Sequence, residues 1–215
     1  MKTPHESWRL FLEGPQPEAK EWGRKLRVFD FDDTLATTSS MVKLMLPDGT
    51  ERLLTAGEYA TYEPREGEYY DEDPESPNFA YAEFNEVRDG EEVRQIANIM
   101  RNIIDKELTQ PEGRKVAILT ARGSSDDWES GAGPAIAEFL LDVGVDPDLV
   151  PIVTLGSADP MDKKAWIKGQ IDKHGFSDIE FFDDSIANVE AVKELGDEYP
   201  NIKLRSRPVF YGGVE

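Results

Sequence analysis

From residue 116 to residue 204 the chain repeats one pattern: a short run rich in apolar residues, then a longer segment whose apolar residues fall at helical spacing. Val116-Ala117-Ile118-Leu119 reads as a strand and residues 134–143 as a helix, with Ala135, Ile136, Phe139 and Leu140 on one face. Residues 149–155, 179–182 and 202–204 read as further strands, separated by helices over 161–174 and 186–195. Near the start, Leu26-Arg27-Val28-Phe29 opens a first buried strand that runs to residue 31. Continuous apolar strands are buried on both faces, and their alternation with helices predicts an α/β fold: a three-layer, Rossmann-like parallel sheet.

Between the first strand and the repeating region lies an insert at about residues 40–110. Residues 41–46 and 51–55 flank Pro47-Asp48-Gly49-Thr50, a hairpin signal with Asp-Gly at the turn. Residues 57–90 are rich in Glu, Tyr, Asp and Pro and predict an irregular excursion. A helix then runs over 90–108, carrying Val93, Ile96, Ala97, Met100, Ile103 and Ile104, and is ended by Pro111 and Gly113. Residues 1–24 read as an arm, and residues 25–215 as a single domain.

The bulk charge narrows the function. Forty-four acids against 24 Lys and Arg give a formal charge of −20. Nonspecific nucleic-acid binding needs a basic stripe, so nucleic acid is an unfavoured partner, and an anionic membrane surface is also disfavoured. No cysteine is present, which removes disulfides and thiolate chemistry. The only histidines, His5 and His174, are far apart in sequence, against a histidine-based zinc site. With no apolar run near the roughly 18 residues of a membrane span and no signal-peptide core at the N-terminus, a cytoplasmic protein is expected.

In open parallel sheets, sites lie beyond the carboxyl ends of the strands. Those ends here carry Asp30, Asp32, Asp33 and Thr34; then Thr120, Ala121 and Arg122; then a loop to Lys163 and Lys164; then Asp183 and Asp184, with Asn188 one helical turn on. Several carboxylates at one rim repel each other unless a cation sits among them. Acids, a hydroxyl and an amine converging on one edge point to a divalent metal and an anionic substrate.

These four stretches, in this order, resemble the motifs of the haloacid dehalogenase superfamily of phosphatases and phosphotransferases. Asp30-Phe31-Asp32-Asp33-Thr34 is similar to its first motif, Asp-x-Asp-x-Thr, with Asp33 where glycine is frequent. Leu119-Thr120-Ala121-Arg122 is similar to the second, a lysine near a helix start to the third, and Phe182-Asp183-Asp184 to the fourth. The resemblance implies a phosphomonoesterase working through an aspartyl phosphate on a small phosphate ester such as a nucleotide or sugar phosphate. It implies Asp30 as nucleophile and Asp32 as general acid and base. It also implies Mg²⁺ held by Asp30, the Asp32 backbone carbonyl and an acid from Asp183 or Asp184. Thr120 and a lysine would hold the phosphoryl oxygens. Thr34 and Arg122 are further candidates for substrate contact, Arg122 equally for pairing with a surface acid. Lys163 is the first candidate for the lysine, because Trp166 and Ile167 lie three and four residues on and set it above the buried face; Lys164 is the alternative.

A nucleic-acid end phosphatase and a non-catalytic phosphate- or metal-binding module on the same scaffold remain as alternatives. The tyrosines from Tyr59 to Tyr81 either wall a substrate site or pack the insert onto the domain.

Overall fold

The computed structural model describes residues 24–63, 65, 68–70, 73–123, 131–210 and 213–214. The arm expected over residues 1–24 lies outside them, except Arg24.

The chain begins with β1 (Arg24–Phe29) and makes a short β2 (Ala36–Thr37). The hairpin expected around Asp48-Gly49 follows as β3 (Val42–Met45) and β4 (Glu51–Leu54), with Gly49 at φ 84°. Helix α1 (Ala56–Ala60) starts on a capping box: the Thr55 hydroxyl accepts from the Glu58 N–H, and the Glu58 carboxylate accepts from the Thr55 N–H. Then come β5 (Tyr69–Tyr70), β6 (Asp73–Ala80), a 3₁₀ turn at Ala82–Asn85 and β7 (Glu91–Glu92), which pairs with β2. Helix α2 (Arg94–Thr109), β8 (Arg114–Thr120), α3 (Ala132–Asp142) and β9 (Ile152–Thr154) follow. Next are α4 (Pro160–His174), β10 (Phe176–Asp183), α5 (Ile186–Lys193), α6 (Leu195–Glu198), β11 (Lys203–Phe210) and β12 (Gly213–Val214).

The main sheet has the order β12-β11-β10-β1-β8-β9, with five parallel strands and β12 antiparallel at one edge. Helices α2 and α3 pack on one face with Phe29, Ile118 and Phe182. Helix α4 and the α5–α6 region pack on the other with Leu26, Val28, Leu119 and Phe181. This is a Rossmann-like arrangement. The chain steps outward from β1 through β8 to β9, then returns to the other side of β1 as β10 and β11. The topological switch point therefore falls between β1 and β10, and a crevice is expected beyond their carboxyl ends.

The excursion at 57–90 is more regular than its composition predicts: β4-β3-β6-β5 forms an antiparallel sheet. Prolines usually break strands, but β6 pairs with β3 only through Asn78–Ala80, beyond Pro74 and Pro77. Val42, Leu54 and Phe84 form its core, with Tyr59, Tyr62 and Phe79 packed against them. The last long strand also departs from expectation. Lys203, Arg205 and Arg207 alternate along β11, masking it from an apolar-run criterion, and Arg205 and Arg207 pair with Glu180 on β10. Residues 147–149 are a 3₁₀ turn and not the start of β9, because Asp146 caps them and Pro147 follows at once.

Candidate active site

Backbone pairing places the first two acids side by side. Phe29 is in register with Phe182, and the Asp30 N–H donates to the Phe182 carbonyl at 2.9 Å. The two rings stack at 4.8 Å between centroids, a contact that adds roughly 0.5–1.5 kcal/mol beyond its burial. Asp30 and Asp183 thus leave adjacent strands at the switch point. One carboxylate oxygen from each of Asp30, Asp183 and Asp184 lies within 4.8 Å of the others.

The loop after β1 is tightly wound. The Leu35 and Ala36 N–H groups both donate to the Phe31 carbonyl, and the Asp33 N–H donates to the Ala36 carbonyl. This winding puts Asp33 at φ 55°, a left-handed conformation that glycine adopts freely and aspartate tolerates. That is a backbone reason for glycine to be favoured at this point of such a motif.

The lysine arrives from the other side of the sheet edge. Asp159 caps α4, accepting from the Met161 N–H at 2.9 Å, and Pro160 occupies the first turn. Lys163, Ile167, Gln170 and Ile171 make the buried stripe of the helix, and Lys163 heads it at the sheet's carboxyl edge. Its ammonium donates to Asp30 Oδ1 at 2.6 Å and to Asp183 Oδ2 at 2.7 Å. Burial works against its charge, but Asp30 and Asp183 prevail and hold its pKa above the ordinary lysine value. Lys164 points elsewhere: it pairs with Glu194 and Glu198 and takes no part in this cluster. One residue of helical rotation separates the buried stripe from the surface row.

The acids are unequally satisfied. Asp183 is fully buried and accepts from Lys163, from the Ser185 N–H at 2.9 Å and, on its two oxygens, from the Asn188 amide nitrogen at 3.0 and 3.1 Å. Asn188, one helical turn beyond Asp184, holds Asp183 and not Asp184. Asp184 accepts only from the Thr34 hydroxyl, at 3.3 Å, among the described residues, and its own N–H donates to Thr34 Oγ1. Burial, then the charges of Asp183 and Asp33, push the Asp184 carboxyl up to about 7. Burial also raises Asp30; Lys163 opposes this, while Asp183, Asp184 and Asp32 add to it. Thr34 is wholly buried and spent on Asp184, so it ties two loops together and does not face the cavity.

Asp32 has a different environment. Arg122 grips it with two bonds, Nε to Oδ2 at 2.8 Å and Nη2 to Oδ1 at 2.7 Å, and Thr38 donates to Oδ1. The remaining Arg122 nitrogen donates to the Phe84 and Glu86 carbonyls of the insert, and the guanidinium lies over the Phe31 and Phe84 rings. Arg122 is buried; it is no surface pair. Nothing in the sequence pattern signalled Thr38 or this link. Thr120, also buried, accepts from the Arg122 N–H at 3.2 Å through its hydroxyl oxygen, which leaves the hydroxyl proton available to a ligand.

Asp30, Asp32, Thr120, Arg122, Lys163 and Asp184 all line one cavity of about 450 Å³. No helix among the described residues is long and apolar enough to cross a membrane. The fold and this cluster define an α/β protein with a carboxylate–amine centre at the switch point of its sheet. No protein-family model, curated protein or solved structure matches the chain.

Proposed function

We propose that this chain is a Mg²⁺-dependent phosphomonoester hydrolase of the haloacid dehalogenase type, acting through an aspartyl phosphate on a small phosphate ester. The observation that carries the reading is the Lys163 ammonium bridging Asp30 and Asp183 at the switch point, with Asp184 completing the carboxylate cluster and Thr120 on the cavity wall.

Three clustered carboxylates with hard oxygen donors, two of them raised by burial and mutual repulsion, suit a divalent cation. Asp30, Asp183 and Asp184 would hold it. When bound, Mg²⁺ supplies charge neutralisation at the phosphoryl oxygens. The protein's own groups account for the rest. A carboxylate oxygen of Asp30 forms a bond to phosphorus as the ester P–O bond breaks. Asp32 gives a proton to the departing alkoxide, then takes one from the water that attacks the aspartyl phosphate, releasing phosphate and restoring Asp30. Lys163 and the Thr120 hydroxyl hold the phosphoryl oxygens during both steps.

The test is phosphate release from p-nitrophenyl phosphate with Mg²⁺. Asp30→Asn should lower turnover by about a thousandfold or more, as loss of a nucleophile does, with the circular dichroism spectrum unchanged. Turnover that survives the substitution removes Asp30 from this role. One observation favours a second reading, a phosphate-binding module without turnover: both oxygens of Asp32 are occupied by Arg122. Phosphate or metal binding with no hydrolysis by the wild-type chain decides for that module.

A further inference from the structure

The insert's contribution to the cavity is unlike the charged end. Val42, Tyr59, Tyr81 and Phe84 line the same space as Asp30, together with Gly57 and Asn85. Tyr81 is 45 % exposed, a large aromatic side chain left facing solvent beside the cluster. Its ring is nevertheless held in place. The Tyr59 and Tyr81 hydroxyls hydrogen-bond at 2.9 Å, their rings meet edge to face at 5.6 Å, and Phe79 supports Tyr59 from behind at 5.2 Å. A rigid aromatic surface costs little ordering when a ligand ring packs on it. The volume of about 450 Å³ falls in the roughly 300–1,000 Å³ range of pockets that enclose a small organic ligand, well beyond a bare phosphate.

We infer that this wall seats the planar base carried by the departing alcohol, and that the substrates are nucleoside monophosphates. The inference rests on the phosphatase reading above and narrows it. The phosphate goes to the Lys163 end, and the base packs on Tyr81 and Tyr59. Asn85, also in the lining, carries an amide donor and acceptor that suit the edge of a base. A sugar phosphate without a base leaves the apolar wall uncovered. A polynucleotide chain meets the repulsion of a protein with formal charge −20, whereas one base and one phosphate do not carry that burden.

The experiment compares nucleoside 5′- and 3′-monophosphates with ribose 5-phosphate, which has the ester and sugar of the 5′-nucleotide but no base. The wild-type protein should prefer the best nucleotide by about tenfold or more in kcat/KM, the scale of one base stacked on an aromatic side chain. Tyr81→Ala should remove that preference through KM while ribose 5-phosphate turnover changes by less than about twofold, and Tyr81→Phe should retain it. Equal turnover of the two substrate types by the wild-type protein overturns the inference and leaves the phosphatase reading intact. So does a higher kcat/KM for phosphotyrosine or for an oligonucleotide with a terminal phosphate. Calorimetric titration of Asp30→Asn with AMP and with ribose 5-phosphate separates the two claims. Tighter binding of AMP that Tyr81→Ala abolishes supports the aromatic seat even if no substrate is hydrolysed; equal binding of both overturns it.

Discussion

Raising the pH should destabilise this protein in the absence of divalent cations, and Asp184 should be one cause. The folded environment pushes its carboxyl up to about 7 from an ordinary value of 3.8, through burial first and then the charges of Asp183 and Asp33. Between those values the folded state binds more protons than the unfolded one. The stabilising contribution is therefore full below about pH 4 and is lost as the pH rises through about 7. A gap of about 3 pH units corresponds to about 4 kcal/mol at roughly 1.36 kcal/mol per unit. Loop relaxation and water entry reduce this, so about 2 kcal/mol is the smaller expectation, equivalent to roughly 4–8 °C in Tm for a chain of this size. The assay is urea unfolding in EDTA at pH 5 and pH 8. Asp184→Asn is the control, since its amide oxygen still accepts from Thr34 but carries no charge. The wild-type protein should lose stability across that interval, and the variant should lose about 2 kcal/mol less. Titrating groups remote from the cluster cancel in the double difference, whereas Asp30, whose carboxyl Asp184 helps to raise, titrates with it, so the difference reads the pair. Mg²⁺ should restore the wild-type protein at pH 8 more than at pH 5, because a cation satisfies the charge that protonation otherwise removes. Parallel pH profiles for the two proteins in EDTA would refute the reasoning.

Other perturbations probe the same rim. Arg122→Ala leaves Asp32 and the Phe84 and Glu86 carbonyls without their partner, and should lower the unfolding free energy by about 3 kcal/mol; a loss under about 1 kcal/mol in urea titration would show that the pair adds little. Lys163→Ala should lower phosphate release by about a hundredfold or more, whereas Lys164→Ala, on its surface row with Glu194 and Glu198, should change it by less than about twofold and stability by less than about 1 kcal/mol. The reverse ranking would reassign the lysine. Asp33→Gly should be more stable than Asp33→Ala by about 1 kcal/mol, because only glycine meets φ 55° without strain; equal midpoints in thermal unfolding would show that the loop relaxes instead.

The part of this molecule legible in its sequence is the part governed by local periodicity. Apolar runs such as Val116–Leu119 and the stripe of α2 reveal strands and helices, and the switch-point rule then says which loops meet. The same rule brought Asp30, Lys163, Asp183 and Thr120 together without any knowledge of side-chain geometry. What stayed hidden depends on rotation and pairing within a few ångströms. Lys163 and Lys164 differ by one step of helical rotation; the Trp166–Ile167 spacing favours Lys163 but does not show that it bridges two buried acids while Lys164 meets Glu194 on the surface. Thr34 belongs to the acid-rich string but is consumed in fastening Asp184, a role that appears only once two strands 150 residues apart are adjacent. The insert was opaque for a related reason. Its strand β6 carries two prolines and its tyrosines have no period, so the sequence does not reveal that Tyr59 and Tyr81 line the cavity. Arg122 then joins the two worlds: one edge of its guanidinium fixes Asp32 and another holds two insert carbonyls. For Asp32 to pass a proton, at least one of those two bonds must open, and an arginine so anchored cannot turn without disturbing the 84–86 segment. Under the phosphatase reading, freeing the Asp32 carboxylate would thus disturb a side chain that the insert also holds, and a change at residues 84–86 would be felt at Asp32 through Arg122.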